Sequence, residues 1–152
     1  MTLNERRSSL PAEPENDKCT SEILRDIVDG FGCISGTLHR SDGDTLELVA
    51  HIGIPDAVLP RIETIPIGKG MAGLAAERME PVDVCNLQTD SSGVAEDGAR
   101  ATGMEGSLAA PIVGLDGTLK GTIGIAKSEQ YEFTPEERDQ LMDTARQITD
   151  RL

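Results

Sequence analysis

The chain has 152 residues, the length of a single domain, and its hydrophobic fraction of 38% together with 16 glycines predicts a folded, mainly aliphatic core. Its 27 acidic residues outnumber the 14 basic ones, so the net charge of −13 argues against a nucleic-acid partner and against binding to an anionic membrane surface. Because we find neither an apolar run long enough to cross a bilayer nor a signal peptide, we expect a cytoplasmic protein.

The first part of the chain predicts a tail, a helix and a hairpin. Residues 1–16 carry charges and prolines but no apolar period, so we predict a disordered tail there and a domain over residues 17–152. Within residues 17–29 the apolar residues recur with helical spacing. Residues 33–40 and 45–52 predict the two strands of a hairpin, because the Asp-Gly pair between them favours a tight turn.

The middle of the chain predicts an edge strand and a small helix. Residues 62–67 can form a third strand at a sheet edge, where Pro66 has no need of an amide hydrogen. The Gly-Lys-Gly segment at residues 68–70 then leads into a helix over residues 70–78, and its glycines allow close approach to another backbone. The free amides at the start of this helix can face a ligand.

A long polar connection separates a short strand from a second hairpin. The strand is predicted over residues 81–84, and the polar stretch covers residues 86–106. A loop of this length in a compact domain is usually functional or contains a short helix, which we place near residues 96–102. Residues 107–115 and 118–127 then predict two strands around another Asp-Gly turn.

The last helix has the clearest local signal. Thr134 is a predicted N-cap, Pro135 occupies the first helical position and Glu137 completes a capping box. An apolar stripe with heptad-like spacing follows, formed by Leu141, Ala145, Ile148 and Leu152. Because the first helix also has an apolar face, we expect a homodimer through the terminal helices, with packing of the stripe on the sheet as the alternative. The element order describes an α+β domain.

Several segments, taken in their order, resemble the GAF family over nearly all of residues 20–150. The landmarks are CISGTLHRSDGDTLELVAHI at residues 33–52, IGKGMAGLAAERMEP at 67–81, VCNLQTD at 84–90, SLAAPI at 107–112 and GTIGI at 121–125. The resemblance implies a GAF-like, PAS-related antiparallel sheet of about five to six strands. It also implies N- and C-terminal helices on one face of that sheet and a ligand pocket on the other, roofed by the small helix and the long loop.

One enzyme of this family resembles the chain in size, the free methionine sulfoxide reductase. Its chemistry requires a nucleophilic thiolate and a resolving thiol. The family has a cysteine where this chain has Ala72 and its catalytic cysteine in the long loop, but residues 86–152 contain no cysteine. The three cysteines, Cys19, Cys33 and Cys85, are odd in number and widely spaced, which favours reduced thiols. We therefore predict that the chain is not an enzyme.

The other ligand classes of the family find little support in the residues. A bilin needs a cysteine beside a histidine, and no such pair occurs. Haem needs an axial ligand, but we interpret His39 and His51 as polar residues of half-exposed strands without aromatic neighbours. The Asn, Lys, Phe, Asp and Glu set of cyclic-nucleotide-binding members has no counterpart that we can place. We predict no metal site, and no cofactor beyond a small-molecule ligand of unknown identity.

The first candidate ligand-binding residues form the start of the small helix. Lys69 and the backbone amides of Gly70, Met71 and Ala72 carry partial positive charge, which favours an anion or a carbonyl oxygen. In the family this helix borders the cavity. The competing interpretation is that the glycines serve only tight packing.

The remaining candidates lie in the loop and on the strands that flank it. Asp90 and Arg100 supply polar groups, and Arg100 is the natural partner of a carboxylate or phosphate. The other candidates are Cys85, Met104, Leu108 and Ala110. Cys85 is a candidate pocket wall or redox-sensitive thiol, and the last three are candidate apolar walls, with core packing as the competing interpretation throughout.

These observations leave three functions to be tested. The first is a small-molecule sensor of the GAF type that signals through a dimer or a partner protein. The second is a reductase of a small sulfoxide, which the missing cysteines disfavour. The third is a degenerate domain kept as a dimerisation scaffold, whose cavity Met71, Met104 and Leu108 would fill.

Overall fold

A computed structural model of the chain describes residues 13–90 and 100–152. It contains helices α1 (Glu13–Gly30), α2 (Leu59–Ile62), α3 (Gly70–Arg78) and α4 (Pro135–Gln147), with a 3-10 turn (Thr149–Arg151) after α4. The strands are β1 (Ser35–Asp42), β2 (Thr45–Ile52), β3 (Thr64–Pro66), β4 (Val82–Val84), β5 (Ser107–Val113) and β6 (Leu119–Ala126). No helix within the described residues is both long and apolar enough to span a bilayer.

The strands form one six-stranded antiparallel sheet in the order β3-β2-β1-β6-β5-β4. Both predicted hairpins are present, and they meet at the centre of the sheet where β1 pairs with β6. The short strand β3 lies at one edge and ends at Pro66, which is the position expected for a residue without an amide hydrogen. The predicted α+β fold with an antiparallel sheet is therefore confirmed.

Two boundaries differ from the sequence prediction or lie outside the described residues. Helix α1 begins at Glu13, so residues 13–16, which the sequence assigns to the tail, belong to the helix. The rest of that predicted tail, residues 1–12, lies outside the described residues. The same holds for most of the short helix predicted at residues 96–102.

The main core lies between one face of the sheet and the two terminal helices. Leu24 of α1 and Leu141 and Ala145 of α4 are fully buried there against the strands. The apolar stripe of the last helix is therefore used inside the chain, where its burial stabilises the packing of α4 on the sheet. The predicted homodimer through the terminal helices remains a prediction, and the stripe itself is not free to form its interface.

A β-bulge in β2 changes which side chains face the core. Leu38 pairs with Ala50 and His39 pairs with Leu48, so Val49 is the extra residue. Residues that pair across two strands lie on the same face of the sheet. Leu48 therefore shares a face with His39, whereas Ala50 shares the other face with Leu38. The bulge therefore divides the apolar residues of this strand between the two faces of the sheet.

A second, smaller core lies on the other face of the sheet, under helix α3. It consists of Met71, Ala75, Val82, Val84, Leu87 and Ala109, with Leu74 and Met104 packed against it. Helix α3 lies mainly over β5, β6 and β4, and residues of β1 and of β6 beside it remain open above. This uncovered part of the sheet is the floor of a cavity.

Candidate functional site

The cavity encloses about 580 Å³ between the sheet, the α2–β3 segment and the start of α3. Its floor comes from alternate residues of the central strands, among them Ser35, Thr37 and His39 of β1 and Gly124 of β6. A Cβ at Gly124 would lie 3.2 Å from the Thr37 hydroxyl oxygen, which is a tight contact, and 3.9 Å from the Leu108 carbonyl oxygen, so the glycine keeps this part of the floor open. The volume lies within the range that small-molecule sites usually have.

The Gly-Lys-Gly turn places the start of α3 at the cavity. Gly68 and Gly70 have φ values of +99° and +69°, a region that favours glycine. Gly73 touches the turn so closely that a Cβ would lie 2.5 Å from the Pro66 carbonyl oxygen. The N-cap, Lys69, makes no side-chain capping hydrogen bond, so the first amides of the helix lack the acceptor that a cap supplies.

The charge of the cavity is opposite to that of the whole chain. Arg61 and Lys69 are the charged side chains among the described residues that line it, and none of those lining residues is Asp or Glu. Neither cation forms an ion pair within the described part of the chain. The helix start at Gly70 adds partial positive charge to the same opening. The arrangement can hold an anion, and no cluster of three metal-ligating side chains occurs in the described residues.

His39 is a site residue that the sequence did not single out. It is 1% exposed, which contradicts the half-exposed position predicted for it, whereas His51 is exposed. The His39 Nε2–H donates to the Ile62 carbonyl oxygen at 2.8 Å, and burial lowers the pKa of the ring below its ordinary value. The signal that could have found it is the alternation of polar residues along β1, where Ser35, Thr37 and His39 share one face.

The structure brings together four of the predicted site residues, Lys69, Gly70, Met71 and Ala72, which all line the cavity. It does not bring Leu108 and Ala110 there, because both are fully buried in the core under the terminal helices. Their neighbours Ser107 and Ala109 face the cavity instead. The prediction chose the wrong face of β5, a strand with too little polar alternation to show its orientation.

The other predicted residues also lie outside the lining. Cys85 is exposed at the end of β4, which differs from both the pocket wall and the buried position considered for it. The Arg100 side chain donates a hydrogen bond to the Asp90 carbonyl oxygen at 2.9 Å. These two residues of the long connection therefore contact each other, and neither lines the cavity. Met104 packs against the small core. The described part of the connection instead contributes Leu87 and Thr102 to the cavity.

Comparison with known proteins gives a family and several similar folds. A family model described as a GAF domain matches residues 16–152. The GAF domain of a phosphoenolpyruvate-protein phosphotransferase from Coxiella burnetii is 18% identical with a TM-score of 0.75, and the match covers 97% of this chain and 86% of that one. No curated protein matches the sequence.

Two further solved structures are similar to the chain. A type II free methionine-R-sulfoxide reductase from Thermoplasma acidophilum is 15% identical with a TM-score of 0.72, over 91% of this chain and 92% of that one. The nlh2 GAF domain of A. Aeolicus in an inactive state is 22% identical with a TM-score of 0.64, over 89% and 80% of the two chains. At these identities the likeness concerns the fold, which GAF domains of other proteins and an enzyme share.

Proposed function

Because the chain belongs to the GAF domain family, we propose that it is a sensory module that binds a small organic anion in this cavity and signals through a dimer or a partner protein. The observation that carries the proposal is the charge of the lining. Arg61 and Lys69 face the cavity and no described lining residue is a carboxylate, in a chain whose net charge is −13. In an acidic protein, a cavity that is lined by cations and not by carboxylates favours the binding of a negatively charged group.

The rest of the lining supports an organic anion over an inorganic one. The walls are mainly aliphatic and include Ile54, Ile62, Ile65, Met71 and Leu87. An apolar cavity with a few polar groups at defined positions is typical of sites that bury most of a small ligand. The anionic group would contact the cations and the start of α3, while the carbon skeleton packs against these side chains.

The structure supports the sensor over the two alternatives. A reductase needs two thiols at the reacting sulfur, but no described cysteine lines the cavity and Cys85 is exposed outside it. A scaffold would have its cavity filled by Met71, Met104 and Leu108. Met71 instead borders open space, and Leu108 lies in the core on the other face. We therefore propose binding without catalysis.

Two further parts of the proposal concern the cellular location and the oligomeric state of the chain. We propose a cytoplasmic location, as expected for a reduced, strongly acidic chain, and a homodimer through the terminal helices as the signalling form. The outer faces of α4 and of residues 20–30 of α1 are polar, since the apolar residues there pack into the core. The dimer interface would therefore be formed by charged side chains, which makes it sensitive to salt.

The binding proposal is tested with straight-chain carboxylates from butanoate to octanoate, in thermal-shift and calorimetric titrations. We expect at least one of them to raise the melting temperature of the chain. Lys69→Gln and Arg61→Gln should each weaken its affinity by about three- to tenfold, because both cations are exposed and partly screened by solvent. Arg25→Gln, which removes the same charge from the outer face of α1, is the matched control and should leave the affinity unchanged.

A cavity-filling variant tests the location independently of charge. Gly124→Val places a side chain on the floor, and its backbone conformation is one that valine readily adopts in a strand. We expect this variant to fold and to lose carboxylate binding. Binding that survives Gly124→Val, or that ignores both lining cations, would show that the carboxylate binds elsewhere.

A further inference from the structure

One nitrogen of the buried His39 ring has no partner in the described structure. The Nε2 atom is bonded to the Ile62 carbonyl oxygen at 2.8 Å. The Nδ1 atom is buried and has no hydrogen-bond partner, although the ring lines the cavity. Buried polar atoms are normally paired, so an orphaned one at a cavity points to a group that binds there.

The hydrogen bond to the Ile62 carbonyl oxygen fixes the tautomer of the His39 ring, and the tautomer determines which kind of partner Nδ1 needs. A carbonyl oxygen only accepts, so Nε2 must carry the proton that is donated to it. Burial lowers the pKa of His39, which keeps the ring neutral near neutral pH. In a neutral ring with a proton on Nε2, Nδ1 carries a lone pair and requires a hydrogen-bond donor.

The protein around His39 does not supply that donor. The residue opposite it on β6 is Thr122, whose hydroxyl is also buried and makes no hydrogen bond to the ring or to any other described atom. The two lining cations, Arg61 and Lys69, are exposed. Because the ring lines the cavity, a group of the molecule that occupies it can supply the missing donor, and a bound water is the alternative.

We propose that His39 Nδ1 accepts a hydrogen bond from an N–H or O–H group of the ligand, so that the cavity selects organic anions that carry such a donor away from the anionic group. This inference rests on the proposed function and specifies the class of ligand. The selectivity of the cavity is expected because a buried polar atom that is left unpaired costs more free energy than a buried hydrogen bond gains. A ligand without a donor leaves Nδ1 unpaired, and a site built to pair a polar group discriminates strongly against analogues that lack it.

Matched pairs of ligands test the inference, because they differ in one hydroxyl group. Each carboxylate from butanoate to octanoate is compared with its ω-hydroxy counterpart, for example hexanoate with 6-hydroxyhexanoate. A purely apolar cavity would bind the hydroxylated member more weakly, since the hydroxyl loses water on burial. We expect the opposite sign, with the ω-hydroxy acid of the matching length binding about tenfold more tightly.

Nitrogen NMR of the wild-type chain reports the contact without any substitution. The chain has two histidines, and the exposed His51 serves as an internal reference in histidine-labelled protein. The Nδ1 resonance of His39 should shift when the ω-hydroxy acid binds and shift much less with the parent acid. The resonances of His51 should move with neither.

Two variants assign the preference to a residue. His39→Leu should bind both members of a pair about equally, because it removes the acceptor. Thr122→Val removes the neighbouring hydroxyl and should keep the preference. If His39→Leu fails to fold, the wild-type NMR and the ligand pairs still decide the question.

The outcomes separate this inference from the proposed function. If both members of every pair bind equally and the Nδ1 resonance does not move, the donor is water or is absent, and the inference is overturned while anion binding stands. A preference lost in Thr122→Val but kept in His39→Leu would also overturn it. If no carboxylate binds, the proposed function fails and the inference fails with it.

Discussion

The environment of each thiol sets how fast it reacts. Burial raises the pKa of Cys33 to about 11, and its Sγ–H points to the Phe31 carbonyl oxygen, whereas Cys85 is exposed. Since the thiolate is the reactive form, alkylation with iodoacetamide near about pH 8 should be on the order of 100-fold slower at Cys33 than at Cys85. Peptide mass spectrometry measures each rate separately. In denaturant the two rates should become similar, and similar rates in the native protein would contradict the buried position of Cys33.

The lowered pKa of His39 makes the stability of the fold depend on pH. The ring is protonated more readily in the unfolded chain, where its pKa is near the ordinary value of 6.5, than in the folded one. Its contribution to stability is therefore fully present above that value and is lost as the pH falls below it towards the lower folded pKa. We expect the free energy of unfolding of the wild type to fall more steeply than that of His39→Gln between about pH 7 and about pH 5.

Denaturant titrations across this range provide the measurement, and the difference between the two slopes isolates His39 from the carboxylates. His51→Gln is the matched control, because His51 is exposed, and its slope should follow that of the wild type. Equal slopes for His39→Gln and the wild type would show that the ring is not held neutral by burial.

At the scale of elements, the turn before α3 depends on one close backbone contact. Gly68 N–H donates to the Gly73 carbonyl oxygen at 2.8 Å, and a Cβ on Gly73 would lie 2.5 Å from the Pro66 carbonyl oxygen. Gly73→Ala should therefore push α3 away from the turn, lower the free energy of unfolding by about 1–3 kcal/mol and weaken carboxylate binding. Thermal denaturation and calorimetry measure the two effects.

The same substitution at another helical glycine provides the control. A Cβ on Gly30, at the end of α1, would have no heavy atom within 4 Å. Gly30→Ala should leave binding unchanged and stabilise the chain by a few tenths of a kcal/mol to about 1 kcal/mol, through the entropy of the unfolded chain. A Gly73→Ala variant as stable as Gly30→Ala would show that the turn tolerates a larger separation.

Local signals predicted the elements, because the residues that form them lie close in sequence. The capping box of α4 is present as predicted: Glu137 N–H donates to the Thr134 hydroxyl at 3.1 Å, and Thr134 N–H donates to the Glu137 carboxylate at 2.8 Å. The Asp-Gly turns likewise identified both hairpins. Capping and turn preferences act within a few residues, so they can be recognised without knowledge of the tertiary structure.

The cavity was predicted less well, because its lining depends on contacts that are distant in sequence. The His39 ring is hydrogen-bonded to the carbonyl oxygen of Ile62, which lies 23 residues further along the chain. The orientation of Leu108 depends on the packing of α4, and the face of Leu48 depends on a bulge. Neither the bulge nor the side of β5 that meets α4 has a signature within those strands.

At the scale of the whole molecule, charge is separated between the cavity and the outer surface. The cavity presents Arg61 and Lys69, whereas the exposed faces of the terminal helices carry mainly carboxylates. Within residues 20–30 of α1 and in α4, the exposed charged residues are Glu22, Arg25, Asp26, Asp29, Glu136, Asp139, Asp143 and Arg146. A homodimer through these helices would bring two such faces together, and like charges in contact oppose association.

The proposed homodimer should therefore form more readily as salt is added. Between about 10 mM and about 300 mM sodium chloride the screening length falls from about 30 Å to well below 10 Å, which removes most of the repulsion between the faces. Sedimentation velocity should show a rising dimer fraction over this range. Asp26→Asn on α1 should raise the dimer fraction at low salt, whereas Asp44→Asn in the exposed β1–β2 turn should not. A dimer that weakens with salt would place the interface elsewhere, and a monomer at every salt concentration would leave signalling to a different partner protein.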